Sequence, residues 1–548
     1  MSVHISSELA DWTGDVESRL LTWDAEEFAA RLWAKDPTLW ADEPQPELID
    51  RLGWLGLAAR LADHLEQLET FGAEVAAAGF RHVVVLGMGG SSLAPEVYQA
   101  TFGNAPGYPE LLVLDSTHPG SVAAIAASID LGATLFIVSS KSGTTLETLS
   151  FFRYFWDHVG AVTDTPGDHF VAVTDPDSTL AELAAERGFR RTFLAPPDVG
   201  GRYSALTEFG LVPAAAIGAD LAALHTAATE ATSQSAPGVT ASESPGLRLG
   251  AILGELALAG RDKVTFITAD GLAAFPAWIE QLIAESTGKD QTGIIPVGGE
   301  PVATASTYGS DRTFMILEFT ADPLDDTAMA LSGAGHPVIR VRLDTTADLV
   351  GAMFLFEVAV AAAGTVLGIH PFNQPDVQLA KEFARRAMDG DLDTAGVTEH
   401  DALEPDLEDT VRTWLADIGP GEYVGIHAYL APTAETAANL QEARLAIRDA
   451  RHVATTLDFG PRFLHSTGQL HKGGPNTGRF LQVTDHPALT ALVPETNYDF
   501  GTLVAAQALG DHQALRDRDR SVLLVSLGDS GATGLAALRD AVVAAARG

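Results

Sequence analysis

An α/β fold is predicted by three features of the 548-residue sequence. Short apolar runs alternate with helical stretches from residue 82 onward. The alternation restarts after two linker-like breaks. Two of the runs end in turns made of glycine and hydroxyl residues. Strands alternating with helices build mostly parallel, doubly wound sheets, and these bind ligands at the carboxyl ends of their strands. The expected architecture is a helical segment at 1–80, doubly wound parallel-sheet domains at 81–235 and 248–390, and an extra α/β region at 410–548.

In residues 1–80, Glu27–Trp33 and Leu48–Phe71 carry apolar residues at helical spacing, and Pro37, Pro44 and Pro46 break the chain between them. Trp12, Trp23, Trp33, Trp40 and Trp54 read as core anchors. Strands are predicted at His82–Leu86, Leu111–Asp115, Thr134–Ser139, Phe170–Thr174 and Arg191–Leu194. Helices fall between them at Leu93–Thr101, Ser121–Ala127, Leu146–Val159 and Thr179–Arg187. Residues 232–247, TSQSAPGVTASESPGL, form a break rich in Ser, Pro and Gly. Beyond it, strands are predicted at Lys263–Thr268, Thr313–Phe319 and Pro337–Leu343. The helix Ala347–Leu367 is apolar nearly all round and should be buried. The acidic stretch 389–409 reads as a second connector. The last region alternates again, through Tyr423–Leu430, a helix at 433–450, Phe480–Thr484, Ser521–Leu527 and the helix Thr533–Ala546. The first two α/β regions could be a pseudo-duplication.

Composition narrows the function. With 34 Lys and Arg against 73 Asp and Glu, the formal net charge is −39, which excludes general nucleic-acid binding. An anionic small molecule must then find a local positive pocket. There are no cysteines, hence no disulfide and no thiolate nucleophile or metal site. No run is read as reaching the about 18 apolar residues of a membrane span, and the N-terminus lacks a signal peptide's basic and apolar regions. A cytoplasmic protein without membrane partners is expected.

Three turns carry the chemistry. Val83–Leu86 runs into Gly87-Met-Gly-Gly-Ser-Ser92, so Gly90 and Ser91 sit where a strand turns into a helix. The unpaired N–H groups of a helix start favour an anion. Ser139-Ser-Lys-Ser-Gly-Thr-Thr145 repeats the arrangement around Lys141, although an ordinary N-cap turn has the same composition. Two such turns in one sheet point to a phosphate monoester. Gly200-Gly-Arg-Tyr-Ser204 adds an arginine beside two glycines.

In this order and spacing, GMGGSS, SKSGTTLET and GGRYS resemble the sugar isomerase domains of the glucose-6-phosphate isomerase family. Glu285-Ser-Thr-Gly-Lys289 resembles the family's glutamate segment. Pro371-Phe-Asn-Gln-Pro-Asp-Val-Gln-Leu-Ala-Lys381 resembles its late signature. The helical opening and the C-terminal extension resemble the isomerase half of transaldolase–isomerase fusions. The resemblance implies an aldose–ketose isomerase acting on glucose 6-phosphate and fructose 6-phosphate through ring opening and a cis-enediolate, without a cofactor, as a homo-oligomer, commonly a dimer. It implies that Ser91, Ser140, Lys141, Ser142 and Thr145 hold the phosphate, chiefly through the second turn, with Gly90 and Ser91 close to the sugar. Gly201 and Arg202 would lie beside the reacting carbons, Glu285 would be the base, and Gln374 and Lys381 would line the sugar side. Burial beside the apolar helix Phe275–Ala284 would raise the pKa of Glu285, and Arg202 would stabilise the enediolate. A bland alternative pairs Glu285 with Lys289 on a helix face. An isomerase that also accepts mannose 6-phosphate, or a sugar-phosphate sensor without catalysis, stays open.

The family's ring-opening histidine has no counterpart in Tyr308–Thr313. The candidates to replace it are His370, His336 and the pair His465 and His471 in GPRFLHSTGQLHKGGP, which packs two histidines and Lys472 among glycines and hydroxyls. We expect His465 and His471 to complete the pocket, from the same chain or a partner subunit. No metal is expected there, because histidines six residues apart lack the i, i+4 helical spacing and a nearby carboxylate.

Overall fold

The computed structural model describes residues 3–43, 45–389 and 397–547. Its strands form three five-stranded sheets. The first contains, from edge to edge, Glu110–Leu114, His82–Leu86, Thr134–Ser139, Phe170–Thr174 and Arg191–Leu194, all parallel. Strands thus lie in the order second, first, third, fourth. The second sheet repeats that order with Ile295–Val297, Lys263–Thr268, Arg312–Phe319 and Val338–Leu343. The third repeats it again with Ala454–Phe459, Tyr423–Tyr429, Gly478–Thr484 and Ser521–Ser526. The duplication considered from sequence is therefore, in topology, a triplication.

What differs is the fifth strand. In the second sheet it is Val3–Glu8, which pairs antiparallel with Val338–Leu343, Val3 opposite Leu343 and Glu8 opposite Val338. The opening segment is thus not purely helical, and its first strand belongs to a sheet built some 340 residues later. In the third sheet the fifth strand is Glu399–Asp401, parallel to Ser521–Ser526. It lies inside the acidic stretch read as a connector, of which 390–396 fall outside the described residues.

The expectation that no apolar run reaches membrane-spanning length is corrected. Thr346–Leu367 covers 22 residues with mean hydropathy 2.0, but 89% of its apolar stretch is buried inside the protein. The helix Leu349–Leu367 packs chiefly on Pro245–Leu258, Leu221–Ser233 and Phe275–Thr287, each apolar on the facing side. Burial on all sides explains why it shows no amphipathic stripe. Its single charged residue, Glu357, is 1% exposed, and burial pushes its carboxyl pKa well above the usual range.

Candidate active site

The first and third strands of the first sheet part their connections to opposite faces, the place where doubly wound sheets form a crevice. Met88–Ser91 follows His82–Leu86 there, and Ser140–Thr145 follows Thr134–Ser139. The helix Phe275–Thr287, from the second sheet's first crossover, points its last turn into the same crevice. A cavity of about 450 Å³ results. Gly90, Ser91, Ser140, Lys141, Ser142, Thr145, Gly201, Glu285, Gln374, Lys381 and His465 all line it.

The hydroxyl loop is internally ordered. Ser140 Oγ lies 3.0 Å from Thr145 Oγ1 and accepts the Gly143 N–H at 3.1 Å, while Ser142 Oγ accepts the Thr144 N–H at 3.2 Å. Thr145 is the N-cap of the helix Leu146–Gly160, so its N-terminal field points into the cavity. Lys141 does not hang free: its Nζ donates to Asp175 Oδ2 at 2.6 Å and to the Pro197 carbonyl at 3.2 Å. Gly90 serves the protein as much as any ligand, because a Cβ there would overlap the Gly201 carbonyl. Glycine at 90 lets the two glycine turns touch.

Glu285 is 5% exposed, and Arg202 Nη1 donates to its Oε2 at 3.2 Å. The remaining N–H groups of Arg202 reach Ser286 Oγ at 2.9 Å, Gln374 Oε1 at 3.2 Å, and the carbonyls of Pro371 at 2.7 Å and Asn373 at 3.0 Å. All five donors of the guanidinium are thereby engaged. It lies behind Glu285, with no N–H group left to reach into the cavity. Burial raises the Glu285 pKa and the neighbouring Arg202 opposes the rise, with a net upward shift. The alternative pairing with Lys289 is not formed: Lys289 Nζ donates to the His370 carbonyl at 2.6 Å. Burial, then the charge of Arg202, push the Lys289 pKa well below its usual value.

The four histidines differ in position. His465 sits in the 3-10 turn Arg462–His465 and reaches the cavity from the same chain. Its Nε2 lies 2.9 Å from Glu147 Oε1, which also accepts from Gln507 Nε2 at 2.7 Å. Burial alone would raise the Glu147 pKa, but the His465 charge and hydrogen bond outweigh it and hold it at about 2. His471 is corrected: it is 2% exposed, packed against His427, Phe463 and Phe480 beneath the helix Gly468–Gly473, and turned away from the cavity. His370 is held by its own turn, Nδ1 accepting the Phe372 N–H at 3.1 Å, and burial lowers its pKa to about 4. His336 packs on Phe314 and Tyr308.

Several residues at the cavity or beside it went unassigned in the sequence, among them Asp175, the partner of Lys141. Glu147 lies inside a quoted motif. Gln281 stands one helical turn before Glu285 and donates to the His465 carbonyl at 2.8 Å, so the i, i+4 spacing held a signal for it. Arg51 and Gln507 come from distant segments and had none.

Doubly wound sheets that bring a hydroxyl-rich helix start and a buried carboxylate–arginine pair to one crevice define a sugar-isomerase class of α/β protein. The phosphoglucose isomerase family model matches residues 57–300. A glucose-6-phosphate isomerase of Rubrobacter xylanophilus is 30% identical over 430 residues, covering 68% of this chain and 96% of that protein. One of Staphylococcus aureus is 29% identical over 351 residues, covering 55% and 78%. Among solved structures, a hypothetical protein of Thermus thermophilus superposes with a TM-score of 0.61 at 25% identity, over 70% of this chain and 99% of that one. The chain belongs to the glucose-6-phosphate isomerase family.

Proposed function

We propose that this protein interconverts glucose 6-phosphate and fructose 6-phosphate, with Glu285 moving the proton between C2 and C1. One observation carries the reading: a buried carboxylate backed by a guanidinium shares its cavity with a hydroxyl-rich helix start. Ser140, Ser142 and Thr145 take the phosphate, and Lys141 adds positive field from its anchored position. Gly90, Ser91, Gly201 and Gln374 meet the sugar.

Lys381 and His465 open the ring. One donates a proton to the ring oxygen while the other takes the anomeric hydroxyl proton, so the C1–O5 bond breaks and C1 becomes an aldehyde. Glu285 then removes the C2 proton, and the electron pair forms the C1–C2 double bond with the charge on O1. Returning the proton to C1, while O1 gains a proton and O2 loses one, yields the ketose. The raised pKa of Glu285 makes it a better base than an ordinary carboxylate. The fixed charge of Arg202 favours the anionic intermediate in a site of low dielectric.

Glu285→Gln keeps the shape and removes the base. In a coupled assay with fructose 6-phosphate, turnover should fall about 10²–10⁴-fold. Turnover within a few-fold of wild type would remove Glu285 from this role. Mannose 6-phosphate in the same assay reports epimer choice. The absence of cysteine supports a cytoplasmic setting. A homo-oligomer is the state the resemblance suggests, and light scattering on the purified chain tests it. The cavity takes His465 from its own chain, so that residue does not depend on a partner.

A further inference from the structure

His471, left without a part in the cavity, belongs to a second cluster. His427 and Asp458 lie directly opposite each other on the adjacent strands Tyr423–Tyr429 and Ala454–Phe459, so their side chains stand on one face of the third sheet. His471 descends on them from the helix Gly468–Gly473, its ring centroid 4.4 Å from that of His427. One ligand atom from each of the three residues lies within 4.8 Å of the others.

The polar atoms of this cluster are unusually bare. His427 is fully buried, and both its ring nitrogens lack a hydrogen-bond partner among the described residues, the carboxylate of Asp511 standing 3.8 Å from Nδ1. His471 Nδ1 and Asp458 Oδ2 are also buried without hydrogen-bond partners among the described residues. Buried polar atoms are almost always satisfied, and a converging set that is not calls for a bound species. The ammonium of Lys472 lies 2.6 Å from Asp511 Oδ1.

We propose that His427, Asp458 and His471 bind a divalent first-row transition cation of the Zn²⁺ class, with water completing the coordination. Two imidazoles and one carboxylate are a donor set suited to such ions rather than to Mg²⁺ or Ca²⁺, which prefer oxygen. Bonds of about 2.0–2.1 Å place tetrahedral ligand atoms about 3.4 Å apart. The 4.8 Å spread therefore closes by at most about 1.4 Å, within the reach of side-chain rotation. Asp458 is half-buried as a residue, while its Oδ2 is buried. The spacing argument against a metal considered one segment alone, whereas the fold supplies the missing imidazole and carboxylate from two strands. The cation would be structural: it would tie to the third sheet the segment whose other end presents His465.

The test is equilibrium dialysis of the full-length protein against micromolar Zn²⁺ with millimolar Mg²⁺ present to occupy the acidic surface, followed by elemental analysis. The expected result is about one Zn²⁺ per chain, falling to near zero in His427→Gln and in His471→Gln. The Co²⁺-loaded wild type should show the visible d–d bands of a low-coordinate site, and a Zn²⁺-induced rise in thermal midpoint should vanish in both variants. The proposal is overturned if the wild type takes up no stoichiometric metal under these conditions. It is equally overturned if either variant, folded by circular dichroism, retains the full equivalent. The wild-type result decides even if a variant fails to fold, and none of these readouts depends on isomerase activity.

Discussion

Glu147 shows how one carboxylate can couple stability to the site. Its pKa of about 2 lies below the ordinary value of 4.5 because His465 favours its ionised form despite burial. A depressed acid stabilises the fold above its unfolded value, and that contribution is lost as pH falls from about 4.5 towards 2. Glu147→Gln should therefore lower stability near neutrality and flatten its decline between pH 4.5 and 2, read by urea unfolding across that range. The same variant leaves His465 without its anion, so turnover should fall while KM changes little. Among single residues, legibility tracked local sequence. Glu285, Arg202 and the Ser140–Thr145 loop could be named because each sits in a short motif. Gln507, which shares the Glu147 oxygen with His465, is 360 residues from it in the chain, and no local pattern marks it.

Every central strand described was legible in the sequence, and so were two edge strands, Glu110–Leu114 and Arg191–Leu194. The strands the sequence did not announce are Val3–Glu8, Ile295–Val297, Glu399–Asp401 and Ala454–Phe459, and all four lie at sheet edges. An edge strand has one partner, so it need not be a continuous apolar run. Ile295–Val297 even contains Pro296, which an edge tolerates and a central strand does not. The long apolar helix makes the opposite point. Its interior character is plain from sequence, yet Glu357 is unexplained by it: both carboxylate oxygens are buried without a hydrogen-bond partner among the described residues. Burial raises its folded pKa, so the carboxyl destabilises the fold increasingly as pH climbs above its unfolded value. Glu357→Met should stabilise the protein by about 1–3 kcal/mol at pH 7. The gain should shrink towards pH 4 in denaturant melts, and an equal gain at both pH values would refute this account.

At the scale of the whole molecule, three sheets of one strand order divide the work. The first supplies the hydroxyl loop, the crossover of the second supplies Glu285, and the third supplies His465. The strand Val3–Glu8 caps the second sheet by covering Val338–Leu343. Deleting residues 3–8 exposes that strand as a new apolar edge. The variant should melt at lower temperature and scatter more light on heating, and an unchanged melt would show that the pairing contributes little.

That pairing also sets a clock. Val3 meets Leu343, and a ribosome adding about 5–20 residues per second needs roughly 17–68 s to make the stretch between them. Through that interval the earliest strand has no ladder to join. Only Val3 and Ile5 on its inward face are apolar, and a strand without an unbroken apolar run suits a segment that must wait in water before it is used.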